Sequence, residues 1–183
     1  SMTVKAVMVL NGKVMNTKPA EQSFTFNKAT GKAVKYESVN SRYYPANGVN
    51  TLTDGFRGTK DIGKQWHGFS GNDMVATIDL GTPVLASSIS LGTIQNWPQW
   101  VFFPQWVKFE VSVDGINFKE IKTVNNTIPG DSRDTQIQDF TTKFPEQKIK
   151  AVRITAKNLG KCPVGHPGEK QAAWLFVDEI IVE

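Results

Sequence analysis

The fold of this chain is decided by residues 52–81, which read LTDGFRGTKDIGKQWHGFSGNDMVATIDLG. The first half is rich in glycine and polar residues, and Asp54-Gly55 lets the backbone turn sharply with several oxygens directed inward. Loops of this kind hold hard cations such as calcium. In the second half, residues 74–80 alternate between apolar and more polar side chains, which predicts a strand with one buried face. Trp66 lies between the two halves, and we expect its indole to fill the core.

Short alternating segments flank this stretch on both sides and are separated by Gly, Pro and Asn turns. Asn11-Gly12 and Asp114-Gly115 predict two tight hairpins. No segment has the period of an amphipathic helix, so the sequence predicts an all-β fold, an antiparallel β-sandwich. Besides 74–80, the predicted strands cover residues 4–10, 13–15, 23–26, 33–36, 84–94, 106–113, 117–124, 135–144, 148–156 and 174–182.

The composition is that of an ordinary globular protein. Hydrophobic residues make up 39% and charged residues 21% of the 183 residues, which is enough apolar material for one sizeable sandwich. No apolar run approaches the ~20 residues that span a bilayer. The net charge is only +4, and Lys and Arg are scattered, so the sequence lacks the basic stripe expected of a nucleic-acid-binding protein.

The sequence offers little for catalysis. It contains two His and one Cys, so no disulfide can form within the chain. Cys162 and His166 supply only two ligands, whereas a structural zinc ion requires four. Asp178 and Glu179 are adjacent in a predicted strand, where neighbouring side chains point to opposite faces, so we do not expect their carboxyl groups to converge. We therefore expect a protein that binds rather than catalyses.

Three motifs carry a family resemblance: residues 52–55 with Trp66, the segment 77–81 (TIDLG), and the turn 112–115 (SVDG). They resemble the coagulation-factor-5/8 type C, or discoidin, domain, a family that includes the family-32 carbohydrate-binding modules. The resemblance covers roughly residues 40–183 and implies a jelly-roll, galactose-binding-like sandwich. Residues 158–183 further resemble the end of such modules attached to family-20 β-N-acetylhexosaminidases of gut Bacteroidetes.

The N-terminal part carries a second, partial resemblance. Residues 5–34 resemble the last strands of the small β-domain that follows the catalytic barrel in chitobiase-like, family-20 enzymes. This implies three parts: residues 1–2 as an expression scar, 3–38 as terminal strands of a preceding small β-domain, and 39–183 as the discoidin-like module. The alternative is that the first strands are edge strands of the same sandwich.

The family resemblance implies a structural calcium ion beneath the loop that begins with Asp54. Here the aromatic Trp66 follows Thr59 after six intervening residues, more than is usual in the family, which could displace Thr59. In the alternative interpretation Asp54 only forms a hydrogen bond within its own turn. The implied ligands are Asp54, Thr59, Glu179 and the backbone carbonyls of Leu52 and Phe56.

A carbohydrate-binding surface requires an exposed aromatic ring and a few polar side chains. The loop with Asn96 and Trp97 offers both, and we expect Trp66, Trp100, Trp174 and Phe109 to be in the core. The predicted ligand-binding residues are Trp97, Asn96, His67, Arg57 and His166.

Together these features predict a non-catalytic, calcium-containing carbohydrate-binding module. The resemblance implies a secreted, periplasmic or cell-surface β-N-acetylhexosaminidase as the parent enzyme. The expected partners are a galactose- or N-acetylhexosamine-containing glycan and the catalytic domain of that enzyme. One alternative is a structural spacer or dimerisation module without sugar binding. Docking to a membrane surface ranks last, because Trp97 has few cationic neighbours in the sequence.

Overall fold

The computed structural model describes residues 2–15, 18–39 and 41–183. Ser1, the first residue of the predicted expression scar, lies outside these ranges. Two 3₁₀ helices, Gly48–Thr53 and Trp97–Gln99, lie in loops, and no helix in these ranges is long and apolar enough to cross a membrane. The strands are β1 Met2–Ala6, β2 Val9–Leu10, β3 Lys13–Val14, β4 Ala20–Phe24, β5 Val34–Tyr36, β6 His67–Ser70, β7 Met74–Gln95, β8 Trp106–Ser112, β9 Lys119–Asn125, β10 Gln136–Ala156 and β11 Trp174–Val182.

Two long antiparallel strands, β7 and β10, form the framework of the fold. Gln136 pairs with Gln95 at one end of the pair and Ala156 with Met74 at the other. Two register shifts bend the pair, because extra residues in one strand kink the ladder: β10 carries the extra residues between 143 and 147, and β7 carries them between 79 and 84. Where the sequence predicts two strands on either side of Gly81 and two more around residue 146, the structure has one bent strand in each case.

The bent pair contributes to both layers of the sandwich. In one layer, the first half of β7 pairs with β5, and the second half of β10 pairs with β8, which carries β9. In the other layer, the second half of β7 pairs with β11, which carries β6. Residues of both layers, including Ile78, Leu91, Phe109 and Val177, join a single buried cluster, so the predicted antiparallel sandwich is confirmed.

The first strands form a separate ribbon. β1 pairs with β4, and β2 pairs with β3 through the predicted turn at Asn11-Gly12. Several apolar side chains of the ribbon are exposed, among them Met8, Val9 and Val14. β5, by contrast, pairs with β7, and Ala29 is fully buried in the main core, so the sandwich begins before the predicted boundary at residue 39.

Candidate functional site

The loop after the first 3₁₀ helix is held against β11 by two buried carboxylates. The backbone N–H of Gly55 donates to both carboxylate oxygens of Glu179, at 3.2 Å each. The N–H of Gly58 donates to Asp178 Oδ2 at 2.7 Å. Adjacent acidic residues can both face this loop because the β7–β11 pairing is irregular between Val177 and Ile180. The two carboxylates thus bind different parts of the loop.

Arg57 is the charged partner of Asp178. Its Nε donates to Asp178 Oδ2 at 2.9 Å, and its other nitrogens donate to the Asp139 carboxylate on β10. Burial alone would lower the pKa of Arg57, but these carboxylates raise it above its ordinary value. Arg57, which the sequence predicts as a ligand-binding residue, therefore belongs to a structural ion-pair network, and its guanidinium group is not presented to a ligand.

The carboxylates of Asp54 and Glu179 are neighbours, and neither forms an ion pair with a cationic side chain of the described residues. Burial and the nearby charge of Asp54 raise the pKa of Glu179 to about 8. Burial also raises the pKa of Asp54, against the hydrogen bonds from Asn47 and the Phe56 amide. Asp54 does bond within its own turn, with Phe56 N 2.8 Å from Oδ1, but that bond leaves the charge of the pair uncompensated.

The other predicted metal ligands, Leu52, Phe56 and Thr59, differ in their exposure. Leu52 is buried, and Phe56 is half-buried with its ring 4.7 Å from the Phe24 ring. The side chain of Thr59 is exposed, and its hydroxyl accepts a hydrogen bond from Asp61 N, so the structure does not bring it to the two carboxylates. Among the described residues, no three His, Cys, Asp or Glu side chains form a metal cluster, so a cation here would need carbonyl oxygens as well.

His67 is not a surface residue, and the prediction that it contacts a ligand is wrong. It lies in β6 with none of its surface exposed, and its ring packs against those of Tyr36 at 5.1 Å and Phe69 at 5.2 Å, which also contact each other at 6.3 Å. Neither ring nitrogen has a partner at ordinary hydrogen-bond geometry among the described residues, although the Gly48 backbone interacts with the ring and offsets part of the effect of burial on its pKa. Burial lowers the pKa of His67 to about 4, because a charged imidazole would be poorly solvated there.

Trp97 and His166, predicted as ligand residues from distant loops, do come together. Their ring centroids are 4.4 Å apart, and His166 Nε2 lies 2.9 Å from the Trp97 carbonyl oxygen. Gly168 N donates to His166 Nδ1, so the ring proton is on Nε2, which donates to Trp97. The guanidinium of Arg133 lies over the Trp97 ring, 4.8 Å from its centroid. These residues line a cleft of about 190 Å³, with Asp131 and Val164 at its sides.

Gln95, the last residue of β7, positions the walls of this cleft. Its side-chain amide donates to the carbonyls of Pro129 and Ser132, at 3.2 Å each, which fixes the loop that carries Arg133. Asn96 closes the neighbouring loop through its backbone, with Asn96 N 2.9 Å from the Val101 carbonyl oxygen. The side chain of Asn96 does not line the cleft, so its contribution is the shape of the loop.

Sequence reasoning missed Arg133 and Asp131, because loop residues distant in sequence show no pattern that places them beside Trp97. It also missed a second pocket of about 300 Å³ that includes Tyr43 and Trp174. Cys162 is buried, with a pKa raised by burial, so its thiol is not activated for catalysis.

The chain belongs to the F5/8 type C domain family, whose model matches residues 33–170. No curated protein sequence matches the chain. The expected family is thereby confirmed.

Solved structures share the fold at low sequence identity. A chitosan-binding module from a Paenibacillus chitosanase/glucanase is 18% identical, with a TM-score of 0.52, and the match covers 86% of this chain and 98% of that one. A family-32 carbohydrate-binding module of a Clostridium perfringens family-89 protein, in complex with GlcNAc-α-1,4-galactose, is 17% identical with a TM-score of 0.54, over 88% and 96% of the two chains. A Ruminococcus gnavus family-29 fucosidase is 15% identical with a TM-score of 0.56, over 86% of this chain but 26% of that one.

Proposed function

We propose that the chain is a non-catalytic carbohydrate-binding module that holds a glycan against Trp97 in the cleft that Trp97 and His166 line. His166 is only 4% exposed, and both of its ring nitrogens are bonded within the protein, to Trp97 O and Gly168 N, so its role is to hold Trp97 in place. One observation carries the proposal: two residues from different loops, both expected at a sugar site, form one cleft with a charged rim of Arg133 and Asp131. Solved modules of this fold bind chitosan and GlcNAc-α-1,4-galactose, which supports the choice of a glycan as the ligand.

The geometry of the cleft sets how such a ligand would bind. Trp97 is half-buried, with Arg133 over its ring and the edge of His166 beside it, so part of the indole remains for one sugar ring. The volume of the cleft, about 190 Å³, is below the ~300 Å³ of typical buried ligand pockets. We therefore expect one terminal galactose or N-acetylhexosamine unit to bind weakly, with a Kd on the order of millimolar, or about 4 kcal/mol.

We also propose a structural calcium ion between Asp54 and Glu179. The two carboxylates lie close together, Glu179 is fully buried, and neither has a cationic partner among the described residues. Carboxylate and carbonyl oxygens are the donors that calcium prefers, and the carbonyls of Leu52 and Phe56 flank Asp54 in the chain. When bound, the cation would compensate the paired charges and fix the loop between the 3₁₀ helix Gly48–Thr53 and Gly58.

The parent protein is proposed to be a secreted, periplasmic or cell-surface family-20 β-N-acetylhexosaminidase, whose catalytic domain the module would hold near its glycan. This rests on the resemblance of residues 158–183 and 5–34. The apolar ribbon of β1 to β4 supports it, because exposed side chains such as Val9 and Leu10 are expected to pack against a further domain.

A glycan-array screen with calcium present tests the proposed function. We expect the wild type to bind a galactose- or N-acetylhexosamine-containing glycan and Trp97→Ala to lose that binding. Phe26→Ala is the matched control, because Phe26 is an aromatic residue with 55% of its surface exposed that does not line the cleft. Thermal unfolding of each variant confirms that it is folded. A folded wild type that binds no glycan would overturn the proposal.

The second candidate function is a structural or dimerisation module, and the exposed apolar side chains of the ribbon favour it. In that case β1 to β4 would form the contact. Sedimentation of the purified chain would show a dimer that Val9→Lys dissociates, while the array would show no glycan.

A further inference from the structure

A second pocket, of about 300 Å³, lies beside the one used in the proposed function. Tyr43, Ser70, Asn72 and Trp174 line it together with Arg42. Trp174 connects the two places, since its backbone N–H donates to the Trp100 carbonyl at 2.9 Å, in the loop that carries Trp97. The two pockets are therefore neighbours at one end of the sandwich, but they share no lining residue.

The pocket is built on regular, hydrogen-bonded structure. Trp174 and Ser70 are paired residues of β11 and β6 and form its base. The wall around Tyr43 is attached to β6 on both sides: Ser41 N donates to the Gly68 carbonyl at 2.8 Å, and Gly68 N donates to the Tyr44 carbonyl at 2.9 Å. A site on strands and on a loop anchored to them needs little reorganisation to bind a ligand.

The lining combines aromatic surface with unused hydrogen-bond donors. Tyr43 has 70% of its surface exposed, whereas a tyrosine that serves only to fill the core is mostly buried. The indole N–H of half-exposed Trp174 and the side chains of Ser70 and Asn72 have no hydrogen-bond partner among the described residues. An aromatic platform surrounded by such groups is the arrangement that recognises a sugar ring.

Arg42 gives the pocket its charge preference. Its Nη2 donates to the Tyr43 hydroxyl at 3.2 Å, and its guanidinium lies 5.2 Å from the centre of the Tyr43 ring. Arg42 forms no ion pair with a described residue, and none of the lining residues is acidic. The remaining guanidinium donors are therefore available to an anionic group, and carboxylates fit them best.

We propose that the Tyr43–Trp174 pocket is a second pyranose-binding site and that Arg42 makes it prefer sugars that carry a carboxylate, such as hexuronates. The proposal extends the proposed glycan-binding function but uses no residue of the Trp97 cleft. A glycan with an acidic sugar could then occupy one pocket while a neutral terminal sugar occupies the other.

Indole N–H signals in a nitrogen-15 NMR spectrum test the two sites separately. The chain has five tryptophans, so Trp97→Phe and Trp174→Phe assign the two relevant signals directly. The probes are glucuronate, its neutral parent glucose, and galactose with N-acetylglucosamine for the Trp97 cleft. Tyr43→Ala and Arg42→Met test the second pocket, and Phe26→Ala is the control with an exposed aromatic elsewhere.

We expect glucuronate to shift the Trp174 signal in a saturable way, with glucose about tenfold weaker because it cannot pair with the guanidinium. Tyr43→Ala should abolish this response, Arg42→Met should weaken the glucuronate response about tenfold, to that of glucose, and Phe26→Ala should leave it intact. If sugars shift only the Trp97 signal, the second site is wrong while the proposed function stands. If no sugar shifts either signal, both are wrong. An equal response to glucose and glucuronate would overturn the charge preference.

Discussion

Gly92 lies directly against the Asp178 carboxylate: a Cβ added to Gly92 would be 1.9 Å from Asp178 Oδ1 and 2.8 Å from Arg57 Nη2. Both contacts are far inside van der Waals distance, so only glycine leaves room for this buried ion pair. The pair joins β11 to the loop that carries Asp54, and Gly92 on β7 is therefore part of the same arrangement.

We predict that Gly92→Ala lowers the free energy of unfolding by about 3 kcal/mol, because the methyl group must displace a buried, charge-paired carboxylate. Chemical denaturation measures the change. Gly130→Ala is the matched control, since an added Cβ there would make an ordinary contact at 3.9 Å with Phe102. Equal stability of Gly92→Ala and the wild type would contradict this account of the ion pair.

Local patterns in the sequence were sufficient to predict the short strands, since the alternation at residues 106–113 and the turn at Asn11-Gly12 reflect backbone geometry directly. They were insufficient for the long bent strands. Gly81 and Pro83 do mark an interruption: Gly81 has a φ of 84°, and the register with β10 shifts between Asp79 and Val84. The strand bends there and continues into the other layer, where its pairing with β10 resumes. This change of layer depends on pairing with β10, about 70 residues away in the sequence, which a local pattern does not reveal.

The site was predictable only in part, for a similar reason. Trp97 and His166 carry residue types typical of sugar sites, and the sequence indicates them without showing that they meet. His67 looked like a loop residue beside Trp66, but its pairing with Val177 turns it under Tyr36. Arg133 reaches Trp97 through the hydrogen bonds of Gln95 to the Pro129–Ser132 loop, which no pattern in the sequence reveals.

Calcium should stabilise the wild type. We predict a rise in the melting temperature on addition of calcium, reversed by a chelator, and loss of that rise in Asp54→Asn and in Glu179→Gln. Each substitution removes one of two carboxylates that would bind the ion. Asp61→Asn is the control, because Asp61 is an exposed acidic residue of the same loop that pairs with Lys64. Unchanged calcium stabilisation in both ligand variants would exclude this site.

Without calcium, Glu179 should make stability depend on pH. Its pKa in the folded protein is about 8, above the ordinary 4.5. Between these values the folded state holds a proton that the unfolded chain has released, so stability falls as pH rises, by up to about 1.4 kcal/mol per pH unit. Denaturation in chelator from pH 5 to 8 should show this loss relative to Glu179→Gln, which does not titrate. Parallel curves for the two proteins would contradict the raised pKa.

His67 should produce the opposite dependence at lower pH. Its folded pKa of about 4 lies below the ordinary 6.5, so the unfolded chain gains a proton that the folded state does not, and stability falls as pH drops from about 6.5 to 4. We predict that His67→Phe removes this loss and changes stability at pH 7 by about 1 kcal/mol or less, because phenylalanine can also pack against Tyr36 and Phe69. The comparison is made in chelator on the Glu179→Gln background, so that only one of the two groups titrates. A loss of the same size in both proteins would show that His67 is protonated in the fold.

The shape of the Trp97 cleft should depend on Gln95. We predict that Gln95→Leu lowers the free energy of unfolding by about 1–3 kcal/mol, because the carbonyls of Pro129 and Ser132 lose their donor. It should also reduce glycan binding at the cleft, since Arg133 is no longer fixed over Trp97. The Trp174 indole signal should keep its response to glucuronate, because the second pocket shares no residue with this loop.

Gln105→Leu is the control: Gln105 also donates a side-chain hydrogen bond to a backbone carbonyl, that of Asn158, but it lines neither pocket. If Gln95→Leu binds the glycan as the wild type does, Gln95 has no role in positioning the cleft.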